Sequence, residues 1–280
     1  MALNLIYITN IPSVALIAEK NGVDRIMVDL ETLGKEERQK NMNTVKSHHT
    51  VDDVRLVSNI LTSSEMLVRI NPWNESSIDE IEAVISAGAD RIMLPMWRTV
   101  AEVNSFLKAV NGRVHTTLLL ETKEAVEVID EILENTLLDE IHIGLNDLHL
   151  SYGLTFMFEL LSNGTVEVLC QKFKARGISY GFGGIAKLGE GLLPAEKIIM
   201  EHYRLGSTRA ILSRTFCDCS KIESIEEIER IYREGIASLR EYEASMAKVT
   251  REQFVRNKAD VAKSIEHIVT TIQRARSNGA

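Results

Sequence analysis

The chain of 280 residues is 45% hydrophobic and 26% charged, a composition typical of a soluble globular protein with a sizeable core. Its formal net charge of -8 argues against nucleic-acid binding and against a basic membrane-binding surface, because both need clustered Lys and Arg. Three cysteines provide no disulfide framework, and neither a signal peptide nor a long apolar span is visible, so we expect a cytoplasmic protein.

Eight short apolar segments recur along the chain and are separated by longer amphipathic segments. The apolar segments comprise residues 3–8, 25–30, 66–70, 91–94, 116–120, 140–143, 179–182 and 209–212. Their hydrophobicity is nearly continuous, which is typical of parallel strands that are covered on both faces. We therefore predict eight parallel strands.

The amphipathic segments between the strands predict helices. In chain order they span residues 12–21, 51–61, 76–87, 100–110, 123–133, 166–176 and 194–205. Several are followed by Gly, the residue that most readily adopts the left-handed conformation beyond a helix end. A doubly wound open sheet is the competing interpretation, but no Gly-x-Gly-x-x-Gly motif follows the first strand. The repeated strand–helix unit predicts a (β/α)8 TIM barrel with additional C-terminal helices.

The additional helices are predicted over residues 224–246 and 251–276. We divide the chain into a barrel catalytic domain, residues 1–246, and a C-terminal helical extension, residues 247–280, which is a candidate for oligomerisation. An apolar stripe that includes Val261 and Ile265 packs either on the chain's own barrel or on a neighbouring subunit. Upstream of these helices, Cys217 and Cys219 are separated by one residue, and no further soft ligands for a zinc site lie nearby in the sequence.

Polar residues follow most of the predicted strands directly, at the end of the barrel where active sites lie in this fold. Glu121 and Asp147 follow neighbouring strands, so we expect their carboxylates to come close together. Two like charges repel unless a cation lies between them, and a carboxylate pair completed by water suits Mg²⁺ or Mn²⁺. The alternative is that each acid caps the helix that follows it.

Arg69 and a glycine-rich segment are the other features at strand ends. Arg69 can bind a carboxylate through two parallel hydrogen bonds, or it can form an internal ion pair with Asp29 or Glu31. Residues 181–184 predict a turn, whose backbone amides either cradle an anion or allow close packing.

Five phrases at the predicted strand ends occur in order between about residue 3 and residue 216. They are residues 28–31 (VDLE), 68–71 (VRIN), 88–95 (GADRIMLP), 120–122 (LET) and 143–148 (IGLNDL). Together they resemble the HpcH/HpaI aldolase and citrate lyase beta family of the pyruvate/phosphoenolpyruvate barrel superfamily, and the chain looks like a divergent subgroup of it.

The resemblance implies that Glu121 and Asp147 bind Mg²⁺ or Mn²⁺ and that Arg69 binds the carboxylate of pyruvate or another 2-oxo acid. In such a site the ion stabilises the enolate that forms when a 4-hydroxy-2-oxo acid is cleaved to, or made from, the 2-oxo acid and an aldehyde. The family commonly forms homo-trimers or homo-hexamers, so we expect one of these assemblies. Further strand-end residues are expected to contact the substrate: Glu31, Gly144, Asn146 and Gly183.

The catalytic base is less directly indicated. The aldolase branch carries a His soon after its second strand and an Asp four residues later, but here an insertion follows that strand. We assign His49 as the base and Asp53 as its orienting partner. His48 is a rival for the same role, and the alternative for His49 and Asp53 is that both start the second helix.

Other departures from the family bear on the substrate. The polar insertion contains Lys35 and Arg38 and predicts a lid over an anionic substrate, while Leu119 replaces a residue that tends to be polar in the aldolase branch. The leading hypothesis is a class II aldolase, a divalent-metal-dependent carbon–carbon lyase. One alternative is a citrate-lyase-like or malyl-CoA-like lyase that acts on an acyl thioester, and another is a catalytically silent barrel that serves as a binding or assembly subunit.

Overall fold

The computed structural model of the chain describes residues 2–34, 49–219, 221–222 and 224–278. Eight parallel strands form a closed barrel in chain order, which confirms the predicted (β/α)8 fold. The barrel closes where the first strand pairs with the last, with Leu5 opposite Ala210. The strands are β1 Asn4–Ile8, β2 Arg25–Asp29, β3 Glu65–Arg69, β4 Arg91–Leu94, β5 His115–Leu120, β6 Glu140–Ile143, β7 Ser179–Ile185 and β8 Arg209–Leu212.

Twelve α-helices lie in the described ranges, and those that follow the strands surround the barrel. None of them combines the length and the apolar character that crossing a membrane requires. They are α1 Pro12–Lys20, α2 Val51–Ser58, α3 Ser77–Ser86, α4 Val100–Val110, α5 Lys123–Glu127, α6 Ile129–Ile132, α7 Leu145–Ser151, α8 Glu159–Ser162, α9 Thr165–Ala175, α10 Ala195–Leu205, α11 Ile225–Ser245 and α12 Arg251–Asn278.

The helices after β5 and β6 differ from the sequence prediction. The helix predicted over residues 123–133 is divided at Val128 into α5 and α6. Helices α7 and α8 were not predicted, because their seven and four residues are too few to show a helical period. The division into α5 and α6 changes only the boundaries of a predicted helix. The missed helix α7 matters for the site, because it begins directly beyond β6.

Strand β7 corrects the predicted glycine-rich turn. Residues 181–184 lie inside the strand, which continues to Ile185. The pairing of β7 with β8 shifts between Gly181 and Gly184, so this end of the strand carries a β-bulge. Gly183 has φ +52°, in the left-handed region that favours glycine. The glycines therefore bend a strand at the barrel rim, where bulges often adjoin active sites.

The barrel interior is layered from a charged floor to a polar rim. At the N-terminal end, buried Glu140 forms ion pairs with Arg25 at 2.7 Å, Arg91 at 3.6 Å and Arg209 at 2.5 Å. Burial alone would raise the pKa of Glu140, but the three guanidinium groups lower it. A middle layer that includes Leu119 is apolar. This order leaves the polar residues of the C-terminal rim as the uppermost layer.

The C-terminal helix α12 packs on the chain's own barrel, which is one of the two alternatives that the apolar stripe left open. Val261 and Ile265 are buried in the main hydrophobic core. The amide of Asn257 donates hydrogen bonds to the carbonyl oxygen of Lys197 at 3.1 Å and to the carboxylate of Glu201 at 2.9 Å. The division of the chain at residue 246 and the oligomeric role of the extension stay predictions.

Candidate metal and substrate site

A cavity of about 410 Å³ opens at the C-terminal end of the barrel. Seven residues that the sequence predicted for the site meet there, because the ends of parallel strands in a barrel converge on one rim. The charged and polar residues that line the cavity are Asp29, His49, Arg69, Glu121, His142, Asn146, Asp147, Ser213 and Arg214.

Glu121 is held in place by its backbone surroundings. Its Oε1 accepts a hydrogen bond of 3.0 Å from the amide of Met96, in the loop that follows β4. Met96 has φ +53°, a conformation that costs a non-glycine residue about 1 kcal/mol or more. On the other side, a Cβ atom at Gly144 would lie 2.8 Å from Oε2 of Glu121. The carboxylate therefore fits between a strained loop and a glycine.

The loop after β4 is itself fixed by the residue that follows Glu121. The Thr122 hydroxyl donates a hydrogen bond of 2.9 Å to the carbonyl oxygen of Trp97 and accepts one of 3.1 Å from the amide of Ala125. Thr122 is thus the cap of α5, and Glu121 is not, which removes the capping alternative for Glu121.

The charge of Glu121 is poorly solvated. The residue is 3% exposed. Burial, followed by the charges of Asp147 and Glu31, raises the pKa of Glu121 well above its ordinary value, and Arg69 offsets only part of this effect. A buried carboxylate that faces another carboxylate is an environment that a cation would stabilise.

Asp147 reaches the cavity from the first turn of α7, whose N-cap is Gly144. Among the described residues, no group of three or more His, Cys, Asp and Glu side chains is arranged to hold a metal ion. An ion between Glu121 and Asp147 would therefore draw its remaining ligands from water and substrate oxygens. Mg²⁺ commonly binds in this manner, so the donor set fits Mg²⁺ or Mn²⁺.

Arg69 forms the internal ion pair that the sequence left open. Its Nε and Nη2 donate parallel hydrogen bonds of 2.8 Å to the two carboxylate oxygens of Asp29, and its Nη1 lies 3.3 Å from Oε2 of Glu31. These contacts fix the guanidinium at the cavity wall. Because a guanidinium carries five N–H groups, the contacts with described residues leave two that can face a ligand.

His49 lines the cavity, but Asp53 does not orient it in the predicted way. The Nδ1 atom of His49 accepts a hydrogen bond of 3.0 Å from the amide of Asp29. The Asp53 carboxylate instead accepts hydrogen bonds from the amide of Thr50 at 2.7 Å and from its hydroxyl at 3.0 Å, in a capping box. The assignment of Asp53 as the partner of His49 is therefore corrected to a helix-starting role.

The other predicted residues are distributed unevenly. Asn146, Gly144 and Gly183 line the cavity, whereas Glu31 is buried behind Arg69 and reaches the site through that side chain. The rival base His48 and the predicted lid with Lys35 and Arg38 lie outside the described residues.

His142 is a cavity residue that sequence reasoning missed. It is fully buried, and its Nε2 donates a hydrogen bond of 3.2 Å to the carbonyl oxygen of Gly183 in the β7 bulge. Burial lowers the pKa of His142 to about 4, so the ring is neutral at pH 7. It lies opposite Leu119 in the pairing of β5 with β6. The signal in the sequence was a polar residue alternating with apolar ones at an inward-facing position of β6.

Comparison with protein families identifies a match over the first part of the chain. The model of the family described as HpcH/HpaI aldolase/citrate lyase matches residues 6–160, a segment that runs from within β1 to beyond β6 and includes both candidate metal ligands. Comparison with curated protein sequences finds no significant match.

Solved structures resemble the chain at low sequence identity. An HpcH/HpaI aldolase from Desulfitobacterium hafniense DCB-2 is 16% identical, with 76% of this chain and 86% of that chain covered and a TM-score of 0.57. A protein of the HpcH/HpaI aldolase/citrate lyase family from Burkholderia cenocepacia J2315 is 13% identical, with 81% and 95% covered and a TM-score of 0.60. A tryptophan synthase from M. tuberculosis is 13% identical, with 85% of this chain and 92% of that chain covered and a TM-score of 0.58. Structural likeness at this level of identity therefore shows the barrel fold alone.

Proposed function

Because the chain belongs to the HpcH/HpaI aldolase/citrate lyase family, we propose that it is a divalent-metal-dependent carbon–carbon lyase that cleaves or forms a 4-hydroxy-2-oxo acid. The observation that carries this proposal is the placement of Glu121, Asp147 and Arg69 around one cavity at the C-terminal end of the barrel. The 2-oxo acid would be pyruvate or a close relative, and the other reactant would be an aldehyde.

Glu121 and Asp147 are the proposed ligands of Mg²⁺ or Mn²⁺. A bound ion would supply Lewis acidity, which stabilises the negative charge that develops on the keto oxygen of the 2-oxo acid. The contacts of Glu121 support an asymmetric role for its carboxylate: the Met96 amide occupies Oε1, and Oε2 lies beside Gly144. Glu121, confined in this way, and Asp147 would together hold the ion.

Arg69 is the proposed partner of the substrate carboxylate. Asp29 and Glu31 hold the guanidinium in one orientation, so little conformational entropy is lost when a ligand binds. The two remaining N–H groups can donate to a carboxylate. Asn146 and the β7 bulge at Gly183 line the same cavity and are proposed to contact the rest of the substrate.

The tautomer of His49 revises its expected role. Since Nδ1 accepts the Asp29 amide hydrogen, the proton of the neutral ring must be on Nε2. In this state Nε2 donates a hydrogen bond and cannot accept a proton, so His49 is poorly placed to act as a general base. We propose that it donates a hydrogen bond to a substrate oxygen, such as the 4-hydroxyl or the aldehyde oxygen.

Exchange of the methyl protons of pyruvate with solvent D₂O tests the proposal, because exchange requires an enolate but no aldehyde. We expect the ¹H NMR signal of the methyl group to decay with enzyme and Mg²⁺, and to persist when EDTA is added. Asp147→Asn should slow the exchange about 100-fold or more, since it removes one charge that binds the ion. Asp130→Asn, at an exposed ion pair with Lys172, is the control and should exchange normally.

Absence of exchange, together with no condensation of pyruvate with a broad panel of aldehydes, would overturn the proposal. Cleavage of a carbon–carbon bond in the acyl group of an acyl-CoA thioester, without activity on free acids, would favour the citrate-lyase-like alternative. The proposed homo-trimer or homo-hexamer is tested separately by the mass in solution from light scattering, and a monomer mass would contradict it.

A further inference from the structure

The loop that follows β8 brings two cysteine thiols together outside the candidate site. The Sγ atoms of Cys217 and Cys219 are 3.5 Å apart. The Tyr7 hydroxyl, from β1, lies 3.1 Å from the carbonyl oxygen of Cys217 and 3.2 Å from Sγ of Cys219. Its one proton can be donated to the carbonyl oxygen or, once Cys219 is deprotonated, to the thiolate. These groups form a thiol–phenol cluster of Tyr7, Cys217 and Cys219, for which the proposed lyase chemistry has no use.

The two thiols of this cluster are not equivalent. Cys217 is buried, whereas Cys219 is partly exposed. The hydrogen bond from the Cys217 thiol, with a smaller contribution from Tyr7, lowers the pKa of Cys219 to about 7 despite partial burial. The same hydrogen bond, together with burial, raises the pKa of Cys217. One sulfur is therefore the more nucleophilic at neutral pH, and a second thiol lies in contact with it.

The third cysteine provides an internal contrast. Cys170 is buried in α9, and burial raises its pKa to about 12. At pH 7 its thiolate fraction is lower than that of Cys219 by about 10⁵, which the greater nucleophilicity of the more basic thiolate offsets only in part. We expect Cys170 to react with a thiol reagent on the order of 10³-fold more slowly.

We propose that Cys217 and Cys219 form a redox-sensitive pair, in which a small peroxide oxidises Cys219 and Cys217 then closes an intramolecular disulfide. In the first step the Cys219 thiolate attacks the peroxide oxygen, the O–O bond breaks, and sulfenic acid and hydroxide form; the hydroxide takes up the proton that the thiol released and becomes water. In the second step Cys217 attacks the sulfenic sulfur and releases water. Two thiols and one H₂O₂ thus give one disulfide and two H₂O, and a dithiol reductant reverses the change.

The local geometry permits both steps. Two residues separated by one other have Cα atoms at most about 7 Å apart, the upper limit for a disulfide, and the 3.5 Å between the sulfur atoms shows that the two side chains point towards each other. The sulfur atoms must approach by about 1.5 Å to reach the S–S length of a disulfide, a change that side-chain rotation can provide. A cavity of about 510 Å³ adjoins Cys217 and offers a small oxidant a route to the cluster.

Mass spectrometry of the peptide that spans both cysteines tests the pair directly. After treatment of the full chain with a small excess of H₂O₂, we expect that peptide to lose two hydrogens and to regain them with dithiothreitol, while Cys170 stays reduced. Cys217→Ser should leave Cys219 as a sulfenic acid that dimedone traps, and Cys219→Ser should react far more slowly. Direct oxidation of the wild-type pair to sulfinic acid, or a bridge between two chains, would overturn the proposal.

The pH dependence of alkylation distinguishes an activated thiol from one that is merely accessible. The iodoacetamide rate at Cys219 should rise with a midpoint near pH 7. Tyr7→Phe removes only the hydroxyl and should lower the rate at pH 7 about threefold or more, because it withdraws a hydrogen bond from the thiolate. A rate at Cys219 equal to that at Cys170 would contradict the proposal, as would a midpoint unchanged by Tyr7→Phe.

Discussion

Glu121→Gln should make the metal-free protein more stable while it abolishes the response to metal. Glutamine has the same shape, and its carbonyl oxygen can still accept the Met96 amide hydrogen bond. It removes the buried negative charge that faces Asp147. Because the folded state raises the pKa of Glu121, its contribution to stability is complete below the unfolded value of about 4.5 and is lost as pH rises through the folded pKa. The variant should therefore gain most at neutral and alkaline pH.

The magnitude follows from the surroundings of the carboxylate. Two like charges within the roughly 4–6 Å over which neighbouring charges shift a pKa repel by roughly 3–4 kcal/mol at an effective dielectric constant of about 20. Arg69 offsets part of this, so we expect a net gain of about 1–3 kcal/mol for the variant. For a chain of this size that gain corresponds to a Tm increase of roughly 2–6 °C. Wild-type protein with metal at about 100 times its Kd should gain about 2.7 kcal/mol, or about 5 °C.

Differential scanning calorimetry from pH 5 to pH 8.5, with EDTA or with Mg²⁺, measures both effects. Glu131→Gln, at an exposed position of α6, is the matched control and should follow the wild type in stability and in its metal response. A Glu121→Gln variant less stable than the wild type in EDTA at pH 8, together with a wild type that does not respond to Mg²⁺ or Mn²⁺, would refute both the charge repulsion and the metal site.

Three further predictions concern the support of the site and of the fold. Gly144→Ala should raise the Kd for Mn²⁺, measured by calorimetric titration, at least tenfold, because the new Cβ lies 2.8 Å from the Glu121 carboxylate. The control Gly184→Ala, whose Cβ would lie 3.3 Å from its nearest contact, should change this Kd less than about threefold. Equal effects of the two substitutions would contradict the role of Gly144. His49→Gln preserves a hydrogen-bond donor near the position of Nε2, so its rate of pyruvate proton exchange should stay within about tenfold of the wild-type rate, whereas the rate of His49→Asn should fall further. A fall of about 10² to 10⁴ in the exchange rate of both variants would indicate that His49 is the base after all. Ile265→Ala should lower the free energy of unfolding in urea by about 2–4 kcal/mol, while Val255→Ala, 61% exposed on the same helix, should change it by less than about 0.5 kcal/mol. A neutral Ile265→Ala would mean that α12 does not pack on the barrel in solution.

The barrel could be predicted because its pattern repeats. Every strand is an apolar segment followed by a helix, which indicates a parallel sheet covered on both faces, and eight such units are the number that closes a barrel. The segment at 181–184 could not be read in the same way, because Gly favours turns when only local sequence is considered. Its pairing with β8 keeps the segment in the sheet, and that pairing depends on residues distant in the sequence.

The candidate metal ligands could be predicted from the sequence, whereas the residues that hold them in place could not. Glu121 and Asp147 carry a chemical signature in their side chains. Glu121 directly follows β5, and Asp147 lies four residues beyond β6, in the first turn of α7. Met96 contributes a backbone amide, which any residue except proline possesses, so its identity gives no indication of the contact. The role of Asp53 was predicted wrongly, because a His followed four residues later by an Asp suggests a catalytic pair. Thr50 and Asp53 equally satisfy the spacing of a capping box, which is the arrangement that the structure has.

The position of the proposed metal ligand thus depends on residues that have no metal chemistry of their own. The Met96 amide and the glycine at 144 confine the Glu121 carboxylate from two neighbouring strands, and Thr122 holds the β4 loop in the conformation that this requires. The strain at Met96 and the buried charge at Glu121 both reduce the stability of the metal-free fold. Such costs are expected at functional sites rather than in structural barrels, where a neutral residue would fill the same space more stably. A silent assembly subunit would have no reason to retain either cost, so an increase in stability on Glu121→Gln would itself count against that alternative.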